Sequence, residues 1–263
     1  MQLRHAAAAT ILAMAFPAVG LADTVTLQNI TAAWSNAVPS GPANQGFPQY
    51  IGNGTATPSV AWGDPAPPNT QQSQYVFSAV LNPGVSFNVP PSPSPDGVLG
   101  TFSHLNFPIF EPQTWLQSVV LTVTAQVFVN GQDQGNRNFV FDFTHEETGN
   151  GGPVGGPFPG NCPYGGANGQ GVNINGCADR VTVSFNALSE SFLVGGNLYT
   201  LNIKGFEQNG VVSADFLTIE GQVNAANLIA NVTLRTPVPE PMSLALFGLA
   251  LAGLGAVRLR RRG

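Results

Sequence analysis

Apolar residues occupy every second position along much of the second half of the chain. In residues 115–129, Val119, Leu121 and Val123 begin a series of this kind that continues to Val129. Successive side chains of a β-strand point to opposite faces, so a period of two over this length predicts a strand with one buried face. Further strands are predicted in residues 137–145, 181–186, 199–204, 211–220 and 228–235.

Short turn sequences separate these predicted strands. Asn130-Gly131 and Asn209-Gly210 supply the positive φ angles that a tight hairpin turn needs, and Gly195-Gly196 separates two further strands. Outside the two ends of the chain, no segment shows helical spacing. We therefore predict one all-β domain over residues 23–236, built as an antiparallel β-sandwich that resembles a jelly roll.

Composition indicates where this domain is irregular. The chain contains 31 glycines and 22 prolines, which favours short strands joined by long turns. Residues 36–70 and 149–176 are rich in Gly, Pro and Asn, and both are predicted to be long loops.

The charge balance argues against nucleic acid as a partner. All 14 acidic residues lie between Asp23 and Glu240, and the same span holds only four bases, which are Arg137, Arg180, Lys204 and Arg235. A protein that binds nucleic acid needs a basic surface to neutralise phosphates. This acidic span has too few bases to form one.

The N-terminus has the order of segments found in a secretory signal peptide. Arg4 and His5 precede an apolar run over residues 6–16, and Pro17 and small residues follow, ending at Ala22. We predict a signal peptide over residues 1–22 and a mature chain that begins at Asp23. A buried N-terminal helix is the alternative, but the run lacks amphipathic spacing.

The C-terminus combines a short motif, an apolar run and a basic end. Residues 242–257 carry no charge, which predicts a single apolar helix. Sixteen residues at about 1.5 Å each reach only about 24 Å, against a hydrocarbon core of roughly 30 Å, so the helix would span a membrane only marginally. Basic residues stay on the cytoplasmic side, which places the domain outside. The motif and the basic cluster are Pro239, Glu240 and Pro241, and Arg258, Arg260, Arg261 and Arg262.

This C-terminal segment, residues 237–263, resembles the PEP-CTERM sorting signal of Gram-negative bacteria. The resemblance implies an exported protein that is held briefly in the inner membrane and cut there by an exosortase, a membrane protease. It also implies a final place at the cell surface or outside the cell. A permanent tail anchor is the alternative.

Several short segments of the central domain carry a second resemblance, namely residues 62–65, 100–106, 179–182 and 195–201, and Gly205-Phe206. On these residues the domain resembles the choice-of-anchor K domain, and within it the THxN branch of PEP-CTERM proteins. Ser103 stands where the branch has threonine, which keeps the hydroxyl group. The resemblance implies an extracytoplasmic β domain and carries no established catalytic residues.

Two cysteines, Cys162 and Cys177, lie in the second predicted loop. Because the signal peptide predicts export to an oxidising compartment, we expect them to form a disulfide. Neither a Cys-x-x-Cys pair nor other metal-ligand spacing is present, which argues against a zinc site.

Two groups of polar residues are candidates for binding. His104 and Asn106 share one face of a strand and would together bind a polar ligand, although buried backbone groups are the more usual partners of such a pair. A second group, close to the disulfide loop, offers the oxygen ligands that Ca²⁺ takes, although acids near a strand end are usually solvated. Its members are Asp142, Glu146, Glu147 and Asp179.

No catalytic motif emerges. The sequence has no Gly-x-Ser-x-Gly elbow, and Glu146 and Glu147 are neighbours that point to opposite faces if extended. We therefore expect a non-enzymatic surface or matrix protein that associates with the exopolysaccharide of a biofilm. We expect no cofactor, and the one candidate ion is Ca²⁺. The alternative is a carbohydrate-binding or carbohydrate-cleaving β-sandwich, supported by analogy of fold alone. Flat aromatic surfaces for sugars would favour it, although aromatic residues are more often part of the core. The candidates are Trp34, Trp62, Trp115, Tyr50 and Tyr75.

Overall fold

Antiparallel strands make up most of the domain. The computed structural model describes residues 22–41, 47–110, 115–149, 157–186 and 189–236. The first eight strands are β1 (Asp23–Pro39), β2 (Gln49–Ile51), β3 (Ser59–Trp62), β4 (Ser73–Ala79), β5 (Val85–Val89), β6 (Gly97–Asn106), β7 (Leu116–Val129) and β8 (Gln132–Glu146). After a 3-10 turn (Gly171–Asn173) come β9 (Asp179–Phe185), β10 (Ser191–Val194), β11 (Asn197–Gln208), β12 (Val211–Ser213), β13 (Asp215–Thr218) and β14 (Gln222–Arg235).

The strands form two sheets that pack face to face. The first sheet has the order β13-β9-β8-β7-β1-β5, and the second has the order β10-β11-β14-β6-β4-β3-β2, with β12 paired to β11. Neighbouring strands of both sheets run antiparallel. The predicted antiparallel β-sandwich is confirmed.

Alternation along each strand fills the space between the sheets. In β7 from Val119 onward, and in β8 from Phe139 onward, every second side chain is buried, as the period of two predicts. The side chains between them face outward in β7, whereas in β8 Val140 is also buried. The buried rings in the middle form what we call the aromatic layer, where Phe102 lies 5.2 Å from both Phe143 and Phe206, measured between ring centroids. The layer consists of Trp34, Phe102, Phe143, Phe206 and Phe216.

The predicted turns have the expected conformation. Asn130 and Gly131 both have positive φ angles, 51° and 77°, and β8 begins at the next residue. Asn209 and Gly210 do the same between β11 and β12. Both pairs therefore make two-residue hairpin turns of the kind that matches the twist of the flanking strands.

One loop prediction is wrong in part. Residues 36–70 contain the end of β1, all of β2 and all of β3, whose side chains in Ser59–Trp62 are buried. These strands have three and four residues, too short for an alternation to be recognised among the glycines and prolines.

The predicted signal peptide (residues 1–22) and apolar C-terminal helix lie almost entirely outside the described residues. Within the part of the chain that the structure describes, no helix has the length and apolar character needed to cross a membrane.

Candidate functional site

Three strands change from aromatic to polar as they approach the same end of the sandwich. In each, a buried phenylalanine is followed two and four residues later by polar side chains on the same face. We call the resulting cluster the polar end. The three series are Phe102-His104-Asn106, Phe143-His145-Glu147 and Phe216-Thr218-Glu220, and Tyr75 and Asp179 complete the cluster.

Strand pairing brings these series together. In the first sheet, the end of β8 and the end of β13 both pair with the start of β9, where Glu146 is opposite Arg180 and Thr218 is opposite Asp179. In the second sheet, His104 at the end of β6 is opposite Tyr75 on β4. The polar end therefore lies between the two sheets, with side chains from both.

A chain of hydrogen bonds runs from Tyr75 through His145 to Glu147. The Tyr75 hydroxyl lies 2.5 Å from His145 Nδ1, and His145 Nε2 lies 2.9 Å from Glu147 Oε2. A carboxylate only accepts, so the network assigns the proton of a neutral His145 to Nε2, and the tyrosine then donates to Nδ1. Burial lowers the pKa of His145 and raises that of Tyr75, which agrees with a neutral ring and a protonated hydroxyl.

A second network joins His104, Asn106, Thr218 and Glu220. His104 Nδ1 lies 2.9 Å from Thr218 Oγ1, and the Asn106 amide nitrogen donates to Glu220 Oε1 at 3.2 Å. His104 and Asn106 are both fully buried, and burial lowers the pKa of His104 well below its usual value, an effect to which His145 adds. The two residues predicted as a pair thus lie on one face, as expected, inside the protein.

Three carboxyl groups converge beside these networks. One oxygen each of Glu147, Asp179 and Glu220 lies within 4.8 Å of the other two. Asp179 is fully buried and accepts from the Thr148 amide at 2.7 Å, and Glu220 is 4% exposed. Burial, and then the neighbouring carboxylates, raise the pKa of both Asp179 and Glu220. A second group of candidate ligand atoms, from His104, His145 and Asp179, meets the same distance limit.

Several buried polar atoms of the polar end lack a hydrogen-bond partner. Among the described residues, neither His104 Nε2 nor Asn106 Oδ1 has a partner. No amide or alcohol donor reaches Asp179 Oδ2 or Glu220 Oε2, and these two carboxyl groups hydrogen-bond to each other. Buried polar groups in native proteins are nearly always paired, because an unpaired one costs roughly 1 to 3 kcal/mol. So many in one place indicate that the polar end holds protons or an ion in addition to its own contacts.

The disulfide loop closes the polar end. Cys162 and Cys177 are bonded, as predicted. The Thr148 hydroxyl donates to the carbonyl oxygen of Cys177, and the Asn175 side chain donates to that of Glu220. The loop therefore shields the carboxyl groups from solvent, although the Glu147 side chain remains 9% exposed.

The sequence predicted part of the acidic group and missed part of it. Of the four predicted acids, Glu147 and Asp179 meet, but Asp142 and Glu146 point to the outer face of β8. Asp142 accepts from the Asn186 amide, and Glu146 forms an ion pair with Arg180. Glu220, which completes the cluster, was missed, although its position four residues after a buried phenylalanine was a usable signal.

The aromatic candidates for sugar binding are mostly internal. Trp34, Trp62 and Tyr75 are buried, Trp115 packs partly against the core, and Tyr50 is 39% exposed. Trp62 stacks on His104 with ring centroids 5.6 Å apart and so covers the polar end. On the surface, a groove of about 600 Å³ is lined by residues that include Tyr164, Arg180 and Asp215.

Burial limits the chemistry of the polar end. Its histidines, carboxyl groups and tyrosine resemble an acid-base site in composition, yet a general acid or base must lie within hydrogen-bond reach of a substrate atom. Among the described residues all of these groups but Glu147 are buried, so their polar atoms face the interior of the sandwich rather than its surface. In this position the side chains of the polar end can share protons with one another or bind a small ion.

Comparison with known proteins identifies the C-terminal segment. Residues 237–262 match the PEP-CTERM protein-sorting motif. No curated protein matches the chain. The resemblance of the central domain to the choice-of-anchor K domain, and to its THxN branch, stays a prediction. The match confirms the predicted sorting segment, and the chain is therefore an exported protein whose C-terminus carries a transient membrane signal for an exosortase-type system.

Proposed function

We propose that this protein is a non-enzymatic component of the cell surface or extracellular matrix of a Gram-negative bacterium, where it associates with exopolysaccharide in a biofilm. The observation that carries the proposal is the sorting motif at residues 237–262, because it sends the β domain out of the cell. The burial of the polar end supports a non-enzymatic role, since it keeps the main cluster of reactive side chains away from substrates.

The surface of the sandwich supports contact with a hydrated polymer. Its outward side chains are largely uncharged and polar, and they bond to one another across strands, as Thr26 does with Ser86 and Thr124 with Asn138. Hydroxyl and amide groups form hydrogen bonds with sugar hydroxyls without the ion pairs that a polyanion would require.

Sorting is tested in a host that contains an exosortase. We expect the wild type to appear shortened in the outer envelope or medium, and Glu240→Ala, or deletion of residues 258–262, to leave uncut protein in the inner membrane. Asp142→Asn, outside the sorting segment in the sequence, is the matched control. Identical size and location of the wild type and both sorting variants would contradict sorting and leave a tail anchor.

Association with polysaccharide is tested on the sorted protein. We expect it to sediment with exopolysaccharide extracted from its host and to leave the polymer length unchanged after incubation. Loss of sedimentation after enzymatic removal of the polymer would support the proposal. A protein that stays in solution with the polymer present would contradict it.

The second candidate function is specific carbohydrate binding at the surface groove. Tyr164 lies there with the Arg180 guanidinium 4.5 Å above its ring, a flat and partly polar surface suited to a sugar. If the groove binds, Tyr164→Ala should abolish sedimentation with polysaccharide while Tyr50→Ala, also a partly exposed tyrosine, should not. Equal sedimentation of both variants would exclude the groove.

A further inference from the structure

We propose that Glu147, Asp179 and Glu220, together with the side-chain oxygen of Asn106, form a buried binding site for one calcium ion. The proposal does not depend on polysaccharide binding or on sorting, since it concerns only the inside of the sandwich.

The spacing of the carboxyl oxygens suits calcium. Calcium binds roughly six to eight oxygens at about 2.3 to 2.6 Å, so oxygens on opposite sides of the ion are separated by about 5 Å. The three oxygens here lie within 4.8 Å of one another. Three carboxylates can each bind through one or both oxygens. Together with the Asn106 amide oxygen they supply most of the six to eight oxygen ligands that calcium takes.

An unpartnered amide oxygen points to an ion independently of the acidic cluster. Asn106 is fully buried, its amide nitrogen donates to Glu220 Oε1, and its oxygen has no partner among the described residues. Asp179 and Glu220 hydrogen-bond to each other through their carboxyl groups, so in the metal-free protein one of the two holds the shared proton. A cation that replaces this proton would bind both carboxylates, and Asn106, which contacts Glu220, lies beside them.

The surrounding charges also favour a cation. The lysine and arginine ion pairs of the described chain are Arg180 with Glu146 and Lys204 with Asp96, so neither Asp179 nor Glu220 is neutralised in that way. Uncompensated carboxylates in a low-dielectric interior are very costly. An ion of charge +2 offsets most of this cost.

Hydrogen bonds select calcium over zinc. A zinc ion at His104, His145 and Asp179 would need a nitrogen lone pair from each ring. Both ring nitrogens of His145 already have partners, Tyr75 and Glu147. His145 instead orients the Glu147 carboxylate, a role that such a neighbour commonly has beside a bound metal.

The test is calorimetric titration of the full exported chain with CaCl₂ after treatment with a chelator. We expect one calcium ion per chain, and an affinity at least about tenfold lower for Glu220→Gln, since metal affinity depends on each ligand. Asp142→Asn, an acid on the outer face of β8, is the matched control and should bind as the wild type does.

Other outcomes would overturn the proposal. Absence of calcium binding to the wild type would mean that the carboxyl groups share protons instead, and equal binding by Glu220→Gln would place the ion elsewhere. Binding of one equivalent of ZnCl₂, without any binding of calcium, would instead indicate a zinc site at His104, His145 and Asp179. In case Glu220→Gln does not fold, Asn106→Asp provides a second variant, which adds a carboxylate and should gain more stability from calcium than the wild type does. An equal effect of calcium on the melting of Asn106→Asp and of the wild type would also contradict the site.

Discussion

The aromatic layer and the polar end lie on the same strands but are held together by different forces. Phe102 and His104 are two residues apart on β6, and both are fully buried. Around Phe102 the contacts are between rings, whereas His104 combines ring contacts with a hydrogen bond to Thr218 and has one nitrogen without a partner. Ring packing is insensitive to moderate changes of pH or ion content, but the charge of the polar end depends on the protonation of its carboxyl groups and, in our proposal, on a bound cation. Two regions that are equally buried can therefore be stabilised by different interactions.

The largest effect is expected in the aromatic layer. Phe143→Ala removes a ring that contacts Trp34, Phe102 and Phe206, and we expect it to lower the free energy of unfolding by about 3 to 5 kcal/mol. Chemical denaturation measures this change, which should be the same with calcium and with chelator. Leu193→Ala, at a position 68% exposed, should change stability by less than about 0.5 kcal/mol. A calcium-dependent loss in Phe143→Ala would break the distinction between the two regions.

Removal of the disulfide should act mainly on the polar end. The bond closes a loop with a sequence separation of 15, which corresponds to about 3 kcal/mol in the chain-entropy model. We expect Cys162→Ser combined with Cys177→Ser to speed hydrogen exchange at the Thr148 amide, which bonds Asp179. Amides in the middle of β7 should also exchange faster, but only by the amount that the loss of global stability accounts for. Equal acceleration at both places would contradict a local role.

The pH dependence of the metal-free protein provides a smaller test. The raised pKa values of Asp179 and Glu220 contribute stability that is complete below about pH 4, the unfolded value, and is lost as pH rises through the folded values. The lowered pKa values of His104 and His145 act in the opposite direction, but only below about pH 6.5.

Above about pH 6.5 the carboxyl groups therefore dominate, and stability in chelator should fall as pH rises toward about 9. The titratable groups that face one another here are Tyr75, His104, His145, Glu147, Asp179 and Glu220. Denaturation at several pH values measures the slope, and Asp142→Asn should show the same slope as the wild type. Stability that stays level over this range would mean that the carboxyl groups are already ionised in the folded, metal-free protein.

Bulges explain why one long strand was not predicted. The buried positions of β1 change phase at Asn29, which has a φ of 50°, so Leu27 and Ile30 are both buried although three residues apart. The pairing with β7 shifts register at the same point. A bulge inserts one extra residue, and the period of two is lost to a search of the sequence. β7 keeps its alternation from Val119 to the turn, and β8 from Phe139 to His145, and both segments were predicted. The start of β8, before Arg137, contains a register shift and was not predicted.

The polar end was only partly predictable because its members come from distant strands. His104 and Asn106 share a face by local geometry, and this follows from their spacing. That Glu147, Asp179 and Glu220 meet depends on β8 and β13 both pairing with β9, which no local pattern encodes. Asp142 and Glu146 were grouped with them because they are near in sequence. On a strand, however, only residues an even number of positions from His145 or Glu147 share their face, and Asp142 and Glu146 are an odd number away.

Thermal unfolding of the full exported chain, with calcium and with chelator at about pH 7.5, tests most directly whether an ion stabilises the polar end. Calcium at about 100 times its dissociation constant adds about 2.7 kcal/mol to the stability of the folded state. For a domain of this size we expect the melting temperature to rise by about 5 to 10 °C. Identical melting in calcium and in chelator would contradict the account.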